Sequence, residues 1–504
     1  MFGSTSSKAL AVTAATTATA LTLSACSAGH TVVPTYGQAR SSGLTLASTL
    51  PFSSLDFANV GGVAIPGALM KNVYETLVRI DPETGEPAPL LAKSWDVSED
   101  GTTYTFHLRY DVHFSNGDEF TAETAVYSIE QVQNEWTNGL KAGMDIVKNA
   151  RAVDQHTLEV TLAEPSRSWL WSMSTLIGAQ TTPNAANVGT GPFEVADFAP
   201  NEYLTLGARP SDEYWGEPAT QDVTIKFFPD STSSVNALRS QQADIVWGLQ
   251  APELIDDLPD TFDIETGTTT GELLVSMNNN TAPFNDPRVR QAVAYAIDRD
   301  AANAIVWDGH GTDTGGAPVP PSDPWFTGKD YYPYAPEKAK QLLAEADAVG
   351  AEITFKVPTQ PYAQTVAEFL YSQLTAVGFN VKLESAEFPA VWLADVMGAK
   401  DYQASVISHA EPRDIGTLFG NPDYYLGYDS PRTRELLKEA DRATDDDESR
   451  ELMQQAVDEI MRNAAALTVM NVPNIVVTRP GVSGVHPDSI TDGIDLSDLR
   501  GHDA

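Results

Sequence analysis

The amino-acid sequence predicts an α/β protein with more than one domain, and three observations support this prediction. Hydrophobic residues make up 42% of the chain, while Gly and Pro together stay far below the share of a low-complexity sequence. The 504 residues exceed the roughly 250–300 residues at which a single hydrophobic core stops growing. Between residues 336 and 385 a helical pattern is twice followed by a strand pattern, which is typical of a layered α/β unit.

The first third of the chain mixes strand and helix patterns without a regular alternation. Leu69, Val73 and Leu77 recur at helical spacing and predict a helix over residues 68–79. Thr121 is a suitable N-cap for a second helix, which continues to residue 132. Alternating apolar residues predict strands at 44–49, 103–109 and 158–162.

The rest of the chain contains clearer helix patterns, separated by short β-rich runs. Helices are predicted at 231–242, 288–298, 336–348, 365–377, 431–441 and 448–464. Strands are predicted at 243–249, 352–357, 380–385 and 475–478. Gly378 is expected to end the helix at 365–377, because Gly readily adopts the left-handed conformation that closes a helix. The acidic run at 444–449 lacks the central Gly of a calcium loop and is predicted to be a solvated turn between two helices.

The N-terminal 25 residues have the composition of a signal peptide. They contain one basic residue, Lys8, and no acidic residue, and their apolar run is too short and too rich in Thr to span a membrane. The run ends in Leu23-Ser24-Ala25-Cys26, which resembles the bacterial lipobox, where the Cys thiol receives a diacylglycerol before cleavage. We therefore expect lipidation of Cys26, followed by a polar tether over 26–43. An ordinary free cysteine behind a secretory signal is the alternative.

Charge and motif content exclude several classes of function. The chain has 69 acidic and 31 basic residues, and a formal charge of −38 repels a polyanion, so nucleic acid is not an expected partner. A single cysteine cannot form an intrachain disulfide or a Cys-rich metal cluster. The sequence contains neither a GxSxG elbow nor an HExxH pair. We predict no enzyme activity, no cofactor and no resident metal.

Several segments, taken in order, resemble one protein family. They are YETLVRIDPETGEPAPLLAKSWDVSEDGTTYTFHLRYDVHFSNGDEFTAETAVYS at 74–128, GTGPFEV at 189–195, YWG at 214–216, FNDPRVRQAVAYAIDRD at 284–300 and YAPEKAKQLLAEA at 334–346. The ordered set resembles the extracytoplasmic solute-binding proteins of ABC importers, specifically the oligopeptide/dipeptide/nickel-binding family. Each segment alone would be a weak signal, but together they span much of the chain.

The resemblance implies a two-lobed periplasmic-binding-protein fold of type II with an extra α+β domain in the first lobe. Domain I would comprise 44–67, 188–275 and 477–504, domain II would comprise 68–187, and domain III, the second lobe, would comprise 276–476. The implied function is the capture of di- or oligopeptides in the cleft between the lobes and their delivery to an ABC permease. The protein would be a lipid-anchored monomer outside the cytoplasmic membrane, in a periplasm or at the cell surface.

One position departs from the pattern of the peptide-binding members. Many of them have an Asp, two intervening residues and then an acidic-Pro pair, and this Asp receives the peptide amine. Aligning Glu411-Pro412 with the pair places Ser408 at the Asp position, and Ser cannot neutralise an ammonium. Either Glu411 or Asp414 takes over this role, or the ligand is not an ordinary free-amine peptide.

Further candidate ligand-binding residues lie around the same segment. His409 and Arg413, together with Glu411 and Asp414, provide both signs of charge for a zwitterion, and the alternative is an internally paired surface cluster. Other candidates are three aromatic side chains near turns, with core packing as their alternative role: Trp325, Tyr362 and Trp392.

Two functional alternatives to a peptide-binding protein stay open at this point. Some relatives hold a metal through a chelator and a His, so His409 raises the possibility of a metal chelate, although a lone His is more often structural. Within the same fold, the ligand could be an oligosaccharide, an opine or a metal chelate. A surface hydrolase on an unrelated mixed α/β fold is the alternative of a different class.

Overall fold

The computed structural model describes residues 43–183, 186–217, 219 and 221–501. The predicted signal peptide, the lipidation site at Cys26 and the predicted tether as far as residue 42 lie outside the described residues. In the described part of the chain, no helix is both long and apolar enough to cross a membrane.

Strands occur along the whole described chain. They are β1 Leu44–Ser48, β2 Val78–Ile80, β3 Pro87–Pro89, β4 Ala92–Val97, β5 Thr103–Leu108, β6 Val147–Asp154, β7 Thr157–Leu162, β8 Phe193–Ala199, β9 Tyr203–Ala208, β10 Val223–Phe227, β11 Ile245–Val246, β12 Asp263–Gly267, β13 Glu272–Met277, β14 Glu352–Pro358, β15 Asn380–Ala386, β16 Ala404–His409, β17 Ala466–Asn471 and β18 Asn474–Thr478.

Helices are concentrated in the second half of the chain. They are α1 Ala64–Leu69, α2 Ala122–Glu135, α3 Arg167–Ser172, α4 Ser231–Arg239, α5 Pro287–Ala296, α6 Arg299–Trp307, α7 Pro336–Glu345, α8 Pro361–Val377, α9 Ala390–Trp392, α10 Ile415–Gly420, α11 Pro431–Arg442 and α12 Asp446–Arg462. Short 3₁₀ helices cover Gly139–Met144, Leu176–Gly178 and Pro252–Leu254, and a π-helical turn covers Leu393–Gly398.

The strands assemble into three sheets and one two-stranded pair, β2-β3. A seven-stranded sheet has the order β12-β18-β11-β1-β10-β9-β8, and a four-stranded sheet has the order β4-β5-β7-β6. A five-stranded sheet has the order β15-β14-β16-β13-β17. We refer to the part with the seven- and four-stranded sheets as the first lobe and to the part with the five-stranded sheet as the second lobe.

The chain passes between the lobes at two neighbouring places. The first connection leads from β12 to β13 through residues 268–271, and the second leads from β17 to β18 through residues 472–473. The Asn471 amide donates to the carbonyls of Thr269 and Gly271, which ties the two connections together. The second lobe begins at β13, four residues before the predicted start of domain III at 276.

The described chain contains two buried apolar clusters. One contains buried side chains of the four-stranded sheet and of one face of the seven-stranded sheet, including Phe106, Leu158 and Phe193. The other surrounds the five-stranded sheet, where β13 and β17 are buried along their whole length, and it also includes first-lobe residues of β1, α4 and β11. A strand buried on both faces has no apolar–polar alternation, which is why these two strands have no period-2 signal in the sequence.

Most of the predicted elements are confirmed, with shifts of a few residues at their ends. Thr121 caps α2, and Thr124 returns a hydrogen bond to its backbone, so that a complete capping box is formed. α8 ends at Gly378, whose φ of 115° lies in the left-handed region. β14 and β15 form a parallel pair joined by α8, which is the α/β unit that the alternating patterns predicted.

The predicted helix over 68–79 is wrong. α1 ends at Leu69, and Lys71 has a φ of 68°, which interrupts a right-handed helix. The Asn72 side chain is fully buried and donates to the carbonyls of Ala68 and Ile494, so it closes the helix end against the C-terminal segment. Val73 is buried in the first-lobe core, but it is not helical.

Candidate functional site

The candidate site is built on residues 410–414, the loop between β16 and α10, which we call the site loop. β16 lies in the middle of the five-stranded sheet, so it carries His409 to the edge of the second lobe at a fixed position. Asp414 follows at the N-cap position of α10, and its side chain makes no cap hydrogen bond. Arg413 has a φ of 53°, which turns consecutive side chains of the loop in different directions.

Arg413 connects the two lobes. Its guanidinium carbon lies 4.7 Å from the ring centroid of Trp171 in the first lobe and 4.7 Å from that of Trp325 in the second lobe. The same guanidinium donates to the Asp323 carboxylate at 3.2 Å and to the Gly85 carbonyl at 2.5 Å. A planar guanidinium can stack on two rings while it donates hydrogen bonds in its own plane, and a Lys ammonium cannot.

His409 lies on the other side of the same loop. Its Nε2 is 2.7 Å from the Tyr425 hydroxyl, and its Nδ1 is 3.2 Å from Asp414 Oδ2 and 3.6 Å from Glu411 Oε2. Burial opposes protonation of His409, but the Tyr425 oxygen and the carboxylates of Asp414 and Glu411 outweigh it and raise its pKa well above the ordinary value.

Two further buried carboxylates face this group. Glu272 pairs with His409 across β13 and β16, and its Oε2 accepts from the Thr468 hydroxyl while Oε1 has no hydrogen-bond partner. Burial, followed by the charges of Asp414 and Asp323, raises the pKa of Glu272 well above its ordinary value. Burial also raises the pKa of Asp323 to about 6 and that of Asp414 above its ordinary value.

Acidic groups outnumber basic groups in this cluster. Arg413 pairs with Asp323, and His409 faces both Glu411 and Asp414. Together with Glu272, the cluster contains four carboxyl groups and two basic side chains. An excess of carboxyl groups favours a ligand that brings a positive charge.

The remaining predicted site residues have different surroundings. Tyr362 lies at the start of α8, and its hydroxyl accepts from the Ser408 backbone N–H at 3.1 Å, so both residues adjoin the cluster. Trp325 stacks on Arg413, as described above. Trp392 is 2% exposed and donates its indole N–H to the Ser405 hydroxyl, which makes it a core residue that we do not include in the site.

The internally paired Glu–Arg–Asp cluster expected as the alternative does not form. Arg413 pairs with Asp323 instead of Glu411 or Asp414, and these two carboxylates face His409. The Glu411 side chain is 66% exposed, whereas that of Asp414 is 24% exposed. Asp414 is therefore the better shielded of the two candidate countercharges.

Four contributors to the site were absent from the sequence prediction. Glu272 and Asp323 supply buried carboxylates, Trp171 supplies an aromatic face from the first lobe, and Tyr425 holds the His409 ring in a parallel stack at 5.7 Å. The only signal for Glu272 is an acidic residue that immediately precedes an apolar run, LLV at 273–275.

A cavity of about 1190 Å³ opens beside Arg413 between the two lobes. The first lobe contributes α3 and the turn between β4 and β5, and the second lobe contributes α10, α11 and the start of α12. Pro412, Arg413 and Ile415 line the cavity, whereas His409, Glu411 and Asp414 do not.

Comparisons with known proteins agree with this architecture. Residues 86–429 match the family model described as bacterial extracellular solute-binding proteins, family 5 Middle. The probable ABC transporter periplasmic-binding protein SapA of Escherichia coli (strain K12) is 25% identical over 398 residues, which is 70% of this chain and 72% of the relative. The dipeptide-binding protein of the same organism is 27% identical over 481 residues, covering 83% and 87%. Some other relatives are matched over only 64% to 65% of their own length.

The solved structures show the same fold. The periplasmic binding protein DppA from Helicobacter pylori, in complex with the peptide STSA, has a TM-score of 0.76 and 24% sequence identity, covering 91% of this chain and 98% of that chain. This likeness supports the two-lobed fold of type II. Because the family model covers more than half of the sequence, the chain belongs to the bacterial extracellular solute-binding proteins of family 5.

Proposed function

We propose that this protein binds peptides that carry a free amino terminus and delivers them to an ABC permease, without catalysing a reaction. The observation that supports the proposal is the excess of carboxyl groups over basic side chains in the cluster around Asp414. A peptide ammonium placed between Asp414, Glu411 and Glu272 would bring a positive charge to these groups. The orphaned Oε1 of Glu272 would then gain a hydrogen-bond donor.

The rest of a bound peptide requires little side-chain recognition. Extended backbone is satisfied by main-chain donors and acceptors, and side chains in roomy wet pockets are tolerated with low selectivity. Lipidation at Cys26 would keep the protein at the outer side of the cytoplasmic membrane, since two acyl chains anchor stably where one does not. Ligand would favour contact between the lobes by its differential affinity for that state.

Isothermal titration with a free-amine peptide pool and with its N-acetylated counterpart tests this function. We expect binding of the free-amine pool, and at least tenfold weaker binding of the acetylated pool. Asp414→Asn should weaken binding of the free-amine pool by about 2–5 kcal/mol, because it removes a charged partner from a buried pair.

The matched control is Asp395→Asn, which removes a second-lobe carboxylate that pairs with Lys356 outside the cluster. It should leave the affinity unchanged. Equal affinities of the Asp414→Asn variant and the parent for the free-amine pool would contradict the assignment of the amine site. Release of product from a peptide or ester panel would instead support the hydrolase alternative.

One observation favours a second candidate, a metal or metal chelate. His409, Glu411 and Asp414 each offer a ligand atom, and these atoms lie within 4.8 Å of one another. Neutral imidazole nitrogen and carboxylate oxygen suit several divalent ions. Native mass spectrometry of the purified protein distinguishes the two candidates, because a bound peptide and a bound metal add different masses. His409→Gln should abolish retention of a metal and leave retention of peptides unchanged.

A further inference from the structure

One edge of the second-lobe sheet differs from the edges of the first-lobe sheets. β15 ends the five-stranded sheet, and no strand pairs with its outer side among the described residues. It runs alongside β14 for seven residues without a register shift. The edge strands β4, β6 and β8 of the first lobe each contain such a shift. A bulge protects an edge from pairing with another strand, and β15 lacks this protection.

The other two edges of the three sheets are closed for different reasons. β17 is buried along its whole length, and the N–H groups of Thr468 and Asn471 donate to the loop at 312–316. β12 carries Asp263 and Glu265 and no basic residue, so two such strands would bring only acidic side chains together. Among the sheet edges of the described chain, β15 is therefore the one suited to a further strand.

The backbone hydrogen bonds of β15 show which of its residues point outward. The Asn380 N–H and the Ala386 carbonyl are both bonded on the side of β14. Because the direction of the backbone groups alternates along a strand, the even-numbered residues of β15 point towards β14. Val381, Leu383 and Ser385 therefore direct their N–H and carbonyl groups away from the sheet, where a further strand would lie.

Charge complementarity identifies the further strand as a second copy of β15. Two antiparallel copies related by a two-fold axis at Leu383 place Lys382 of each copy opposite Glu384 of the other. In this register the outward groups of Val381, Leu383 and Ser385 all gain partners. A two-fold axis at Lys382 or at Glu384 would instead place like charges opposite each other. The side chains of Lys382 and Glu384 are 73% and 46% exposed, so both are accessible to a second copy.

The helix α8 would meet its own copy in the same arrangement. It packs against both β14 and β15. Tyr362, near its start, contacts Ser408 on β16, and Tyr371 lies about two and a half turns later, on the opposite flank. Tyr371 is 45% exposed and thus faces the open edge. Strands lie about 4.8 Å apart, so a helix above β14 and β15 lies about 10 Å from its copy, a usual distance between packed helices.

We propose that the outer edge of β15 is the interface of a two-fold homodimer, in which the five-stranded sheets of two copies join into one continuous sheet. Such an interface is closed, because the same edge serves both copies. The inference does not depend on peptide binding, and it departs from the monomer that the family resemblance implied. The formal charge of −38 on each copy opposes association, but at about 0.15 M salt this repulsion is screened beyond about 8 Å, whereas Lys382 and Glu384 would be in direct contact.

Sedimentation velocity of the purified protein over a hundredfold range of concentration tests this interface. We expect the parent to form dimers as the concentration rises. Lys382→Glu and Glu384→Lys should each weaken association at least tenfold, because each places like charges opposite each other at both symmetry-related contacts. The matched control is Lys148→Glu, an exposed lysine at the bulge of the edge strand β6, which should associate like the parent.

An equimolar mixture of Lys382→Glu and Glu384→Lys tests the register itself. Each contact in the mixed dimer again joins opposite charges, so the mixture should associate at least tenfold more tightly than either variant alone. A parent that stays monomeric, a Lys382→Glu variant that associates like the parent, or a mixture that associates no better than its components would overturn the proposal. Lys382→Glu should bind the free-amine peptide pool like the parent, so the dimer and the proposed function can fail separately.

Discussion

Arg413 and Asp414 are neighbours in the chain but belong to different surroundings. The Arg413 side chain lies between two tryptophans and contacts both lobes, whereas Asp414 faces His409 and the buried carboxylates of the second lobe. The proposed amine site and the contact between the lobes therefore share one short loop. A cation bound at Asp414 changes the field at Asp323, whose pKa depends on Asp414 and on Arg413.

At the residue scale, a second buried carboxylate outside the site has a testable titration. Glu75 is 4% exposed and accepts hydrogen bonds from the Tyr214 hydroxyl and the Trp215 indole, both at 2.9 Å. Burial raises its pKa from 4.5 to about 7, although these hydrogen bonds and Arg209 oppose the shift. Glu75 keeps its proton to a higher pH in the folded state than in the unfolded state. Its contribution to the free energy of unfolding is therefore fully present below pH 4.5 and is lost as the pH rises through 7.

We expect Glu75 to reduce the free energy of unfolding by up to about 3 kcal/mol between pH 4.5 and pH 8, since one pKa unit corresponds to about 1.4 kcal/mol. Glu75→Gln resembles the protonated form of Glu75, so the stability of this variant should lack this pH dependence. The measurement is denaturant unfolding of parent and variant across this range, with the difference between them plotted against pH. A difference that stays constant from pH 4.5 to pH 8 would contradict the assigned titration.

At the scale of elements, the sequence predicts long amphipathic helices well and short or fully buried elements poorly. α2, α8, α11 and α12 have periodic apolar residues and recognisable ends, and they form close to the predicted positions. α3 and α10 have six residues each, too few for a period to stand out, yet they flank the site. The central strands β13 and β16 are buried on both faces and show no alternation.

The site was predictable only where its residues follow one another in the chain. His409, Glu411, Arg413 and Asp414 lie within six positions, so their proximity follows from the sequence alone. The distant contributors come together through sheet pairing and lobe contact. Glu272 reaches His409 because β13 pairs with β16, and Trp171 reaches Arg413 because α3 faces the second lobe.

The end of α1 illustrates how one buried polar side chain overrides a helical spacing. Asn72 donates to Ala68 at 3.1 Å and to Ile494 at 2.7 Å, and its own oxygen accepts from the Leu496 N–H at 3.2 Å. Asn72→Ala would leave these buried backbone groups without partners. We expect a loss of about 2–3 kcal/mol in the free energy of unfolding, measured by denaturant titration.

Asn59 is the matched control for this prediction. Its side chain donates to Asp56 and accepts from the Thr137 hydroxyl, and both contacts are exposed, so Asn59→Ala should change stability by less than about 0.5 kcal/mol. If Asn72→Ala were as stable as the Asn59→Ala variant, the attachment of α1 to the C-terminal segment would not contribute to stability.

At the scale of the whole molecule, the two lobes of the described chain touch around the cavity through the shielded Arg413 side chain and a rim of exposed polar contacts. The rim includes the ion pairs of Arg167 with Asp446 and of Arg442 with Glu164, the hydrogen bond from Arg167 to the Ala443 carbonyl, and the Ser168 amide donating to Asp441. Exposed ion pairs contribute about 0–1 kcal/mol each. The Arg413 side chain is 16% exposed and stacks on two rings, and a desolvated cation–π contact contributes about 2 kcal/mol.

Arg413 should therefore dominate the contacts between the lobes around the cavity. Arg413→Lys keeps the charge, but a Lys ammonium cannot stack on Trp171 and Trp325 while it donates to Asp323 and Gly85. We expect the free energy that favours touching lobes to fall by about 2 kcal/mol, which lowers the ratio of touching to separated lobes roughly 30-fold. Small-angle X-ray scattering of the ligand-free variant should show a larger radius of gyration than the parent, and dissociation of bound peptide should accelerate. Arg442→Lys, which alters only an exposed rim pair, should match the parent in both measurements. Identical scattering of Arg413→Lys and the parent would show that the rim contacts hold the lobes together without the stacked guanidinium.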